Sequence, residues 1–262
     1  MNRIDKKFKE LKNKNKKAFI AFITAGYPSL KVTERLILEF AKIGVDIVEL
    51  GVPFSDPMAD GPIIQESSQF ALKKNVHLVD ILNLVRRVRK KVNTPICLMT
   101  YYNPIFCFGE KKFVKDAVSC GVDGIIVPDL PPEEGRPLIK IANRYKLAVV
   151  CFISPTTSRE RIKRISAISK GFIYYVSLTG VTGPRQALPS DIIDNLKVIK
   201  NISKKNICVG FGISSPRQVE QLKKVADGVI VGSAIVKKIK ENLQKKNLVE
   251  IVVRFVASLN HV

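Results

Sequence analysis

Short apolar runs recur along the chain, each followed by a longer stretch in which apolar residues return every three or four positions. The runs cover 18–24, 46–50, 96–100, 124–127, 148–153, 172–176, 207–210 and 228–231. They are rich in Val and Ile and bounded by Gly, Pro, Asn or Asp, which predicts buried strands. The stretches 30–43, 78–92, 110–119, 133–145, 158–169, 190–199 and 216–225 predict amphipathic helices. A last one over 235–259 predicts a helix broken near Asn247, and residues 4–11 predict a short helix ahead of the first strand.

Short apolar strands that each lead into a helix, at roughly thirty residues per unit, pair in parallel through helical crossovers. Three echoes support repetition: Gly44-Val45-Asp46-Ile47-Val48, Gly121-Val122-Asp123-Gly124-Ile125 and Ala226-Asp227-Gly228-Val229-Ile230. The expectation is an α/β fold, a closed (β/α)8 TIM barrel with an extra N-terminal helix, as one domain over 1–262. The alternative, an open doubly wound sheet, usually shows a Gly-rich fingerprint after its first strand. Thr24-Ala25-Gly26-Tyr27-Pro28 supplies none.

In such barrels the site forms where strands end at their C-termini. The densest such stretch is Val48–Gln65, VELGVPFSDPMADGPIIQ. Glu49 lies within an apolar strand, a loop of Pro, Gly and Asp follows, and Asp60 stands just before Gly61-Pro62, with Pro62 where a helix can begin. A Glu inside such a strand is costly to bury ionised, so it is either paired or functional. The structural alternative is a salt-bridged Glu and an Asp capping the next helix.

Three late strand ends carry glycine turns: Gly180-Val181-Thr182-Gly183, Gly210-Phe211-Gly212-Ile213 and Val231-Gly232-Ser233-Ala234. Loops after the last strands of a barrel, with a helix N-terminus, form phosphate sites, because glycine lets backbone N–H groups approach an anion. Thr182 and Ser233 add hydroxyl donors. The order of the three turns points to a phosphorylated small-molecule substrate.

Charge alters this picture little. The chain carries a net charge of +21, which raises nucleic acid and anionic membranes as partners. Its Lys and Arg are spread over predicted helix faces, with no RNA-binding signature and no run as long as a membrane span. The expectation is no nucleic acid and no membrane. The basic segment 6–17 followed by the apolar run 18–24 mimics a signal peptide, but the run is short, lacks a small-x-small cleavage site and reads as the first strand. Five cysteines without C-x-x-C spacing read as reduced core thiols of a cytoplasmic protein, and two distant histidines argue against a metal site.

Carbon–carbon cleavage of a sugar-like phosphate needs an electron sink. A Schiff-base lysine belongs late in the sixth strand, but Lys170 precedes that strand. Clustered metal ligands and a redox-cofactor motif are missing. Carboxylate acid–base chemistry by Glu49 and Asp60 remains, with the sink inside the substrate.

The chain resembles the tryptophan synthase alpha subunit over about Ala18 to Val236, through the stretches 19–28, 49–65, 99–104, 124–131, 177–183 and 210–234. The resemblance implies a lyase of tryptophan biosynthesis that cleaves indole-3-glycerol phosphate to indole and glyceraldehyde 3-phosphate. It implies Glu49 as acid–base and Asp60 as its partner. Gly183, Gly212, Gly232 and Ser233 would hold the phosphate; Phe22, Met99, Ile126, Tyr174 and Phe211 would line the indole pocket. Met99 and Ile126 equally suit ordinary barrel core. Also implied is a pyridoxal-phosphate beta subunit in an α2β2 heterotetramer, the alpha chain itself needing no cofactor. The loops 53–60 and 179–189 would close over substrate, and Asp56 and Asn103-Pro104 would face the beta subunit. Leu178 stands where the family has Arg. Two other readings stay open: a barrel isomerase or epimerase, needing a second base such as Asp129 or a Cys, and a non-catalytic regulatory subunit.

Overall fold

The computed structural model describes residues 1–176, 190–210 and 212–260, apart from the side chains of Ser190 and Asp191. The elements run α1 (Arg3–Asn13), β1 (Ala18–Thr24), α2 (Leu30–Lys42), β2 (Ile47–Gly51), α3 (Pro62–Leu72), α4 (Leu78–Arg89), β3 (Ile96–Met99), α5 (Tyr102–Phe108), α6 (Glu110–Cys120) and β4 (Gly124–Ile126). Then follow α7 (Arg136–Arg144), β5 (Ala148–Ile153), α8 (Arg159–Ile168), β6 (Ile173–Val176), α9 (Ser190–Ile202), β7 (Ile207–Gly210), α10 (Pro216–Lys223), β8 (Gly228–Val231), α11 (Ser233–Lys240) and α12 (Leu248–Asn260). All eight strands are parallel and in chain order, and β1 closes on β8 with Ala18 opposite Gly228. The expected closed (β/α)8 barrel is the observed one.

Strand alternation divides the apolar residues into two cores. Ala18, Ile20, Ile47, Cys97, Ile126, Ala148, Val150, Cys208 and Ile230 pack inside the barrel. Their chain neighbours Phe19, Ala21, Val48, Leu98, Val149 and Val209 pack outward under the helices. Helix α1 closes the bottom: Ile4, Phe8 and Leu11, one stripe of an amphipathic helix, join the inner core. Glycine at 124 makes room for it, since a side chain there would meet Ile4 at 2.9 Å.

The three echoes have a physical job. Asp46 accepts the Phe19 N–H at 2.9 Å, Asp123 that of Ile96 at 2.9 Å, and Asp227 that of Ile207 at 3.0 Å. Each acid thus pins the first turn of a strand pair at the N-terminal rim. Asp123 also holds Arg89 at 2.8 Å and Arg3 at 2.9 Å, tying α4 and α1 to the barrel floor.

Several boundaries differ from the sequence expectation. The helix expected over 133–145 starts at Arg136, because the chain after Pro131-Pro132 makes a turn first, with Gly135 N–H donating to the Pro131 carbonyl at 2.9 Å. Phe172 lies ahead of β6, its N–H turned onto the Lys170 carbonyl. The stretch over 235–259 is two helices, α11 and α12, with the break before Leu248 as expected. Helix α5 was not expected: Pro104 reads as a breaker, yet it falls in the first turn, where no intrahelical N–H is needed. No described helix is long and apolar enough to cross a membrane.

Candidate active site

The inward-facing series on each strand ends at the C-terminal mouth, and Glu49 is a member of it. It pairs in register with Phe22 on β1 and Cys97 on β3. Glu49 is 1% exposed, and neither carboxyl oxygen has a hydrogen-bond partner among the described residues. No described cation pairs with it, so the salt-bridge alternative fails. Burial, aided by the nearby Asp60 charge, pushes its carboxyl up to about 8. At neutral pH Glu49 therefore carries its proton.

Asp60 sits at the far end of the loop from β2 to α3. It does not cap α3, whose N-cap is Gly61, with Pro62 at the first helical position as expected. Its carboxylate instead accepts the Tyr101 hydroxyl at 3.1 Å, while its backbone carbonyl accepts Gln65 Nε2 at 2.9 Å. Burial raises Asp60 to about 6, and the Tyr101 hydrogen bond opposes that rise. The two carboxyl groups are thereby split: one protonated and one ionised near pH 7.

The wall around them is aromatic and thiol. Phe22 is wedged between two glycines, since a side chain at Gly51 would meet its ring at 2.6 Å and one at Gly232 at 3.2 Å. Phe22 thus links the Glu49 strand pair to the β8–α11 turn, so carboxyl and glycine turn share one rim. Tyr174 lies against Gly210 so closely that a side chain there would stand 2.4 Å from its hydroxyl. Burial and the Glu49 and Asp60 charges raise the Tyr174 phenol well above its ordinary value, so it stays protonated. Cys97 and Cys208 are likewise raised well up, first by burial, and remain thiols.

Of the other expected pocket residues, Met99 is half-buried at the end of β3, and Ile126 is fully buried in the inner barrel layer. Gly212 has a positive φ of 37° and open space beside its Cα, leaving its backbone accessible. Gly232 and Ser233 form the N-cap and first residue of α11, where backbone N–H groups lack intrahelical acceptors. Thr182, Gly183 and Phe211, Leu178 and the loop over 179–189 lie outside the described residues.

Two residues were missed. Phe152 on β5 faces inward by the same alternation as Ala148 and Val150, and its ring stands 4.9 Å from that of Tyr174. Tyr101 supplies the hydroxyl on Asp60. Asp129, the alternative second base, gives both carboxylate oxygens to the Tyr102 N–H, at 2.9 and 3.1 Å, at the start of α5. That is a structural cap. With the strand thiols protonated as well, the isomerase reading finds neither of its candidate second bases, Asp129 or a strand-end Cys, available among the described residues. No group of His, Cys, Asp and Glu among them is arranged to hold a metal ion.

The family model described as "Tryptophan synthase alpha chain" matches residues 8–260. The tryptophan synthase alpha chain of Caldanaerobacter subterraneus is 44% identical over 262 residues, covering 100% of both chains. That of Geobacter sulfurreducens is 50% identical over 237 residues, 90% of each. Among solved structures, tryptophan synthase subunit alpha from Legionella pneumophila superposes with a TM-score of 0.93 at 39% identity, covering 100% of this chain and 98% of that one. A chain of the tryptophan synthase a2b2 complex of Pyrococcus furiosus, described in a study of its mutual activation, gives 0.88 at 39% identity, covering 94% and 98%.

Proposed function

The chain belongs to the tryptophan synthase alpha chain family, and on that premise we propose that Glu49 and Asp60 carry its reaction. It is a lyase of tryptophan biosynthesis that cleaves indole-3-glycerol phosphate to indole and glyceraldehyde 3-phosphate, and its partner is the beta chain in an α2β2 complex. The family needs no cofactor of its own for this step; pyridoxal phosphate is assigned to the beta chain. A cytoplasmic setting suits its buried, unpaired thiols at Cys97, Cys120, Cys151 and Cys208.

The observation that carries the reading is a fully buried Glu49 with no hydrogen-bond partner among the described residues, near an Asp60 whose carboxylate accepts the Tyr101 hydroxyl. Glu49 hands its proton to indole C3, and positive charge spreads to the ring nitrogen. Asp60 accepts the ring N–H and stabilises that charge. The Glu49 carboxylate then takes the proton of the side-chain hydroxyl as the carbon–carbon bond breaks, giving the aldehyde and indole. One carboxyl group serves twice and ends protonated, so the cycle closes without another reagent. Phe22, Phe152 and Tyr174 suit an aromatic ring, with Met99 beside them. Gly212 after β7, with Gly232 and Ser233 at the start of α11, suits the phosphate, and by resemblance Thr182, Gly183 and Phe211 complete the two ends. A regulatory subunit that only activates its partner has no use for this split of two carboxyl groups.

Indole release from indole-3-glycerol phosphate, measured with and without the beta chain, tests the reading. Wild type should release indole, faster with the beta chain, and folded E49Q should release none. Turnover by E49Q near the wild-type rate would remove Glu49 from the chemistry.

A further inference from the structure

The contacts of one phenol extend the mechanism beyond its two carboxyl groups. Tyr101 is 3% exposed, just past the end of β3, and its ring stacks on Phe54 at 5.1 Å. Its hydroxyl has two partners: it accepts the Ala59 backbone N–H at 3.0 Å and donates to Asp60 Oδ2 at 3.1 Å. Phe54, Ala59 and Asp60 all belong to the loop between β2 and α3. One side chain rooted on the barrel therefore grips that loop at both ends and occupies one oxygen of its carboxylate.

We infer that Tyr101 is a positioning residue for the lyase reaction, acting through Asp60. Its hydroxyl fixes which Asp60 oxygen faces the indole N–H and keeps that carboxylate ionised over the working pH range. The inference rests on Asp60 being the acceptor proposed above. Three features support it. The Ala59 N–H fills the acceptor side of the hydroxyl, so its proton points at Asp60. The phenol is pushed well up, chiefly by burial and then by the Asp60 charge, so it remains a donor throughout. A hydrogen bond to the charged form of a carboxylate lowers its pKa, here against the upward pull of burial. Among the described residues the titratable groups whose charges reach Asp60 are Glu49, Tyr101 and Tyr174.

The test is the pH dependence of kcat/KM for indole release in Y101F, which keeps the ring and its stacking. The acid limb, set by Asp60, should move up by about one pH unit, while the basic limb stays. Activity at pH 6 should fall about fivefold, approaching tenfold below pH 5, with little loss near pH 7.5. Replacing Tyr101 by 3-fluorotyrosine makes the phenol a stronger donor and should move the acid limb down. That arm decides the matter if Y101F does not fold. F54L, which removes the stacking and keeps the hydroxyl, should leave the acid limb in place. An acid limb unmoved in Y101F, with the rate unchanged or scaled equally at every pH, overturns the inference, as does F54L moving the limb as far as Y101F. Wild-type turnover by D60N would instead defeat the acceptor role of Asp60 itself.

Discussion

At the scale of single residues, the site is two carboxyl groups driven apart by their surroundings. Among the described residues Glu49 has no hydrogen bond and no cation, so burial holds its proton to about pH 8; Asp60 has a phenol donor and titrates near 6. The kcat/KM profile should therefore be a bell, rising as Asp60 ionises near pH 6 and falling as Glu49 loses its proton near pH 8. Because the groups interact, those midpoints belong to the pair. Stability carries the same signature. Folding raises Glu49 from an ordinary 4.5 to about 8, so between those values the folded protein keeps a proton that the unfolded chain has lost. Stability must then fall as pH rises, by up to about 1.4 kcal/mol per pH unit for this one group. E49Q lacks the titration, so its stability relative to wild type should grow steadily from pH 5 to pH 8 in urea melts. Parallel curves for the two proteins would mean that Glu49 is ionised in the folded state.

At the scale of elements, the packing that supports this site was partly legible. The short apolar runs, each leading into a helix, and the Asp echoes predict parallel strands, and the echo acids prove to be the hooks that start strand pairs. Glu49 and Asp60 stood out because a carboxylate in an apolar run and another beside Gly-Pro are unusual in type and place. Phe152 was legible in principle, since it continues the alternation of Ala148 and Val150, but one apolar residue in an all-apolar strand does not announce its face. Tyr101 was not legible. Its role depends on a loop folding back over forty residues of chain to bring Asp60 to its hydroxyl, and no local pattern encodes that. Helix α5 was hidden by Pro104, which sits where proline is harmless. The role of α1 was equally hidden: its apolar stripe was plain, while the barrel floor it fills exists only after closure. Phe8 is 6% exposed in that floor, so F8A should destabilise the protein by about 3–5 kcal/mol in denaturant unfolding. A loss below about 1 kcal/mol would mean that α1 does not seal the inner core.

At the scale of the whole molecule, the described loops at the barrel mouth are acidic. Among the described residues, the mouth loops over 52–61, 127–135, 154–158 and 212–215 carry Asp56, Asp60, Asp129, Glu133 and Glu134 and no Lys or Arg. The loops at the opposite rim carry Lys16, Lys17, Lys90, Lys91, Lys204 and Lys205 beside Asp46, Asp123 and Asp227, and the helices that begin at the mouth carry Lys31, Arg136, Arg159 and Arg217 in their first turns. Despite the net charge of +21, none of these described mouth loops offers a cation to an anionic substrate, and in the proposed reading backbone N–H groups at α11 take the phosphate. From this, kcat/KM should change by less than about threefold between 50 and 200 mM salt. A steep fall with salt would place steering cations at the mouth. What the fold protects there is a dry carboxyl group, and its protonation can be read without turnover. In a carbon-13 NMR titration of side-chain carboxyl groups, with E49Q identifying the resonance, Glu49 should be protonated at pH 7 and titrate near pH 8. A Glu49 resonance already that of a carboxylate at pH 6 would contradict the account.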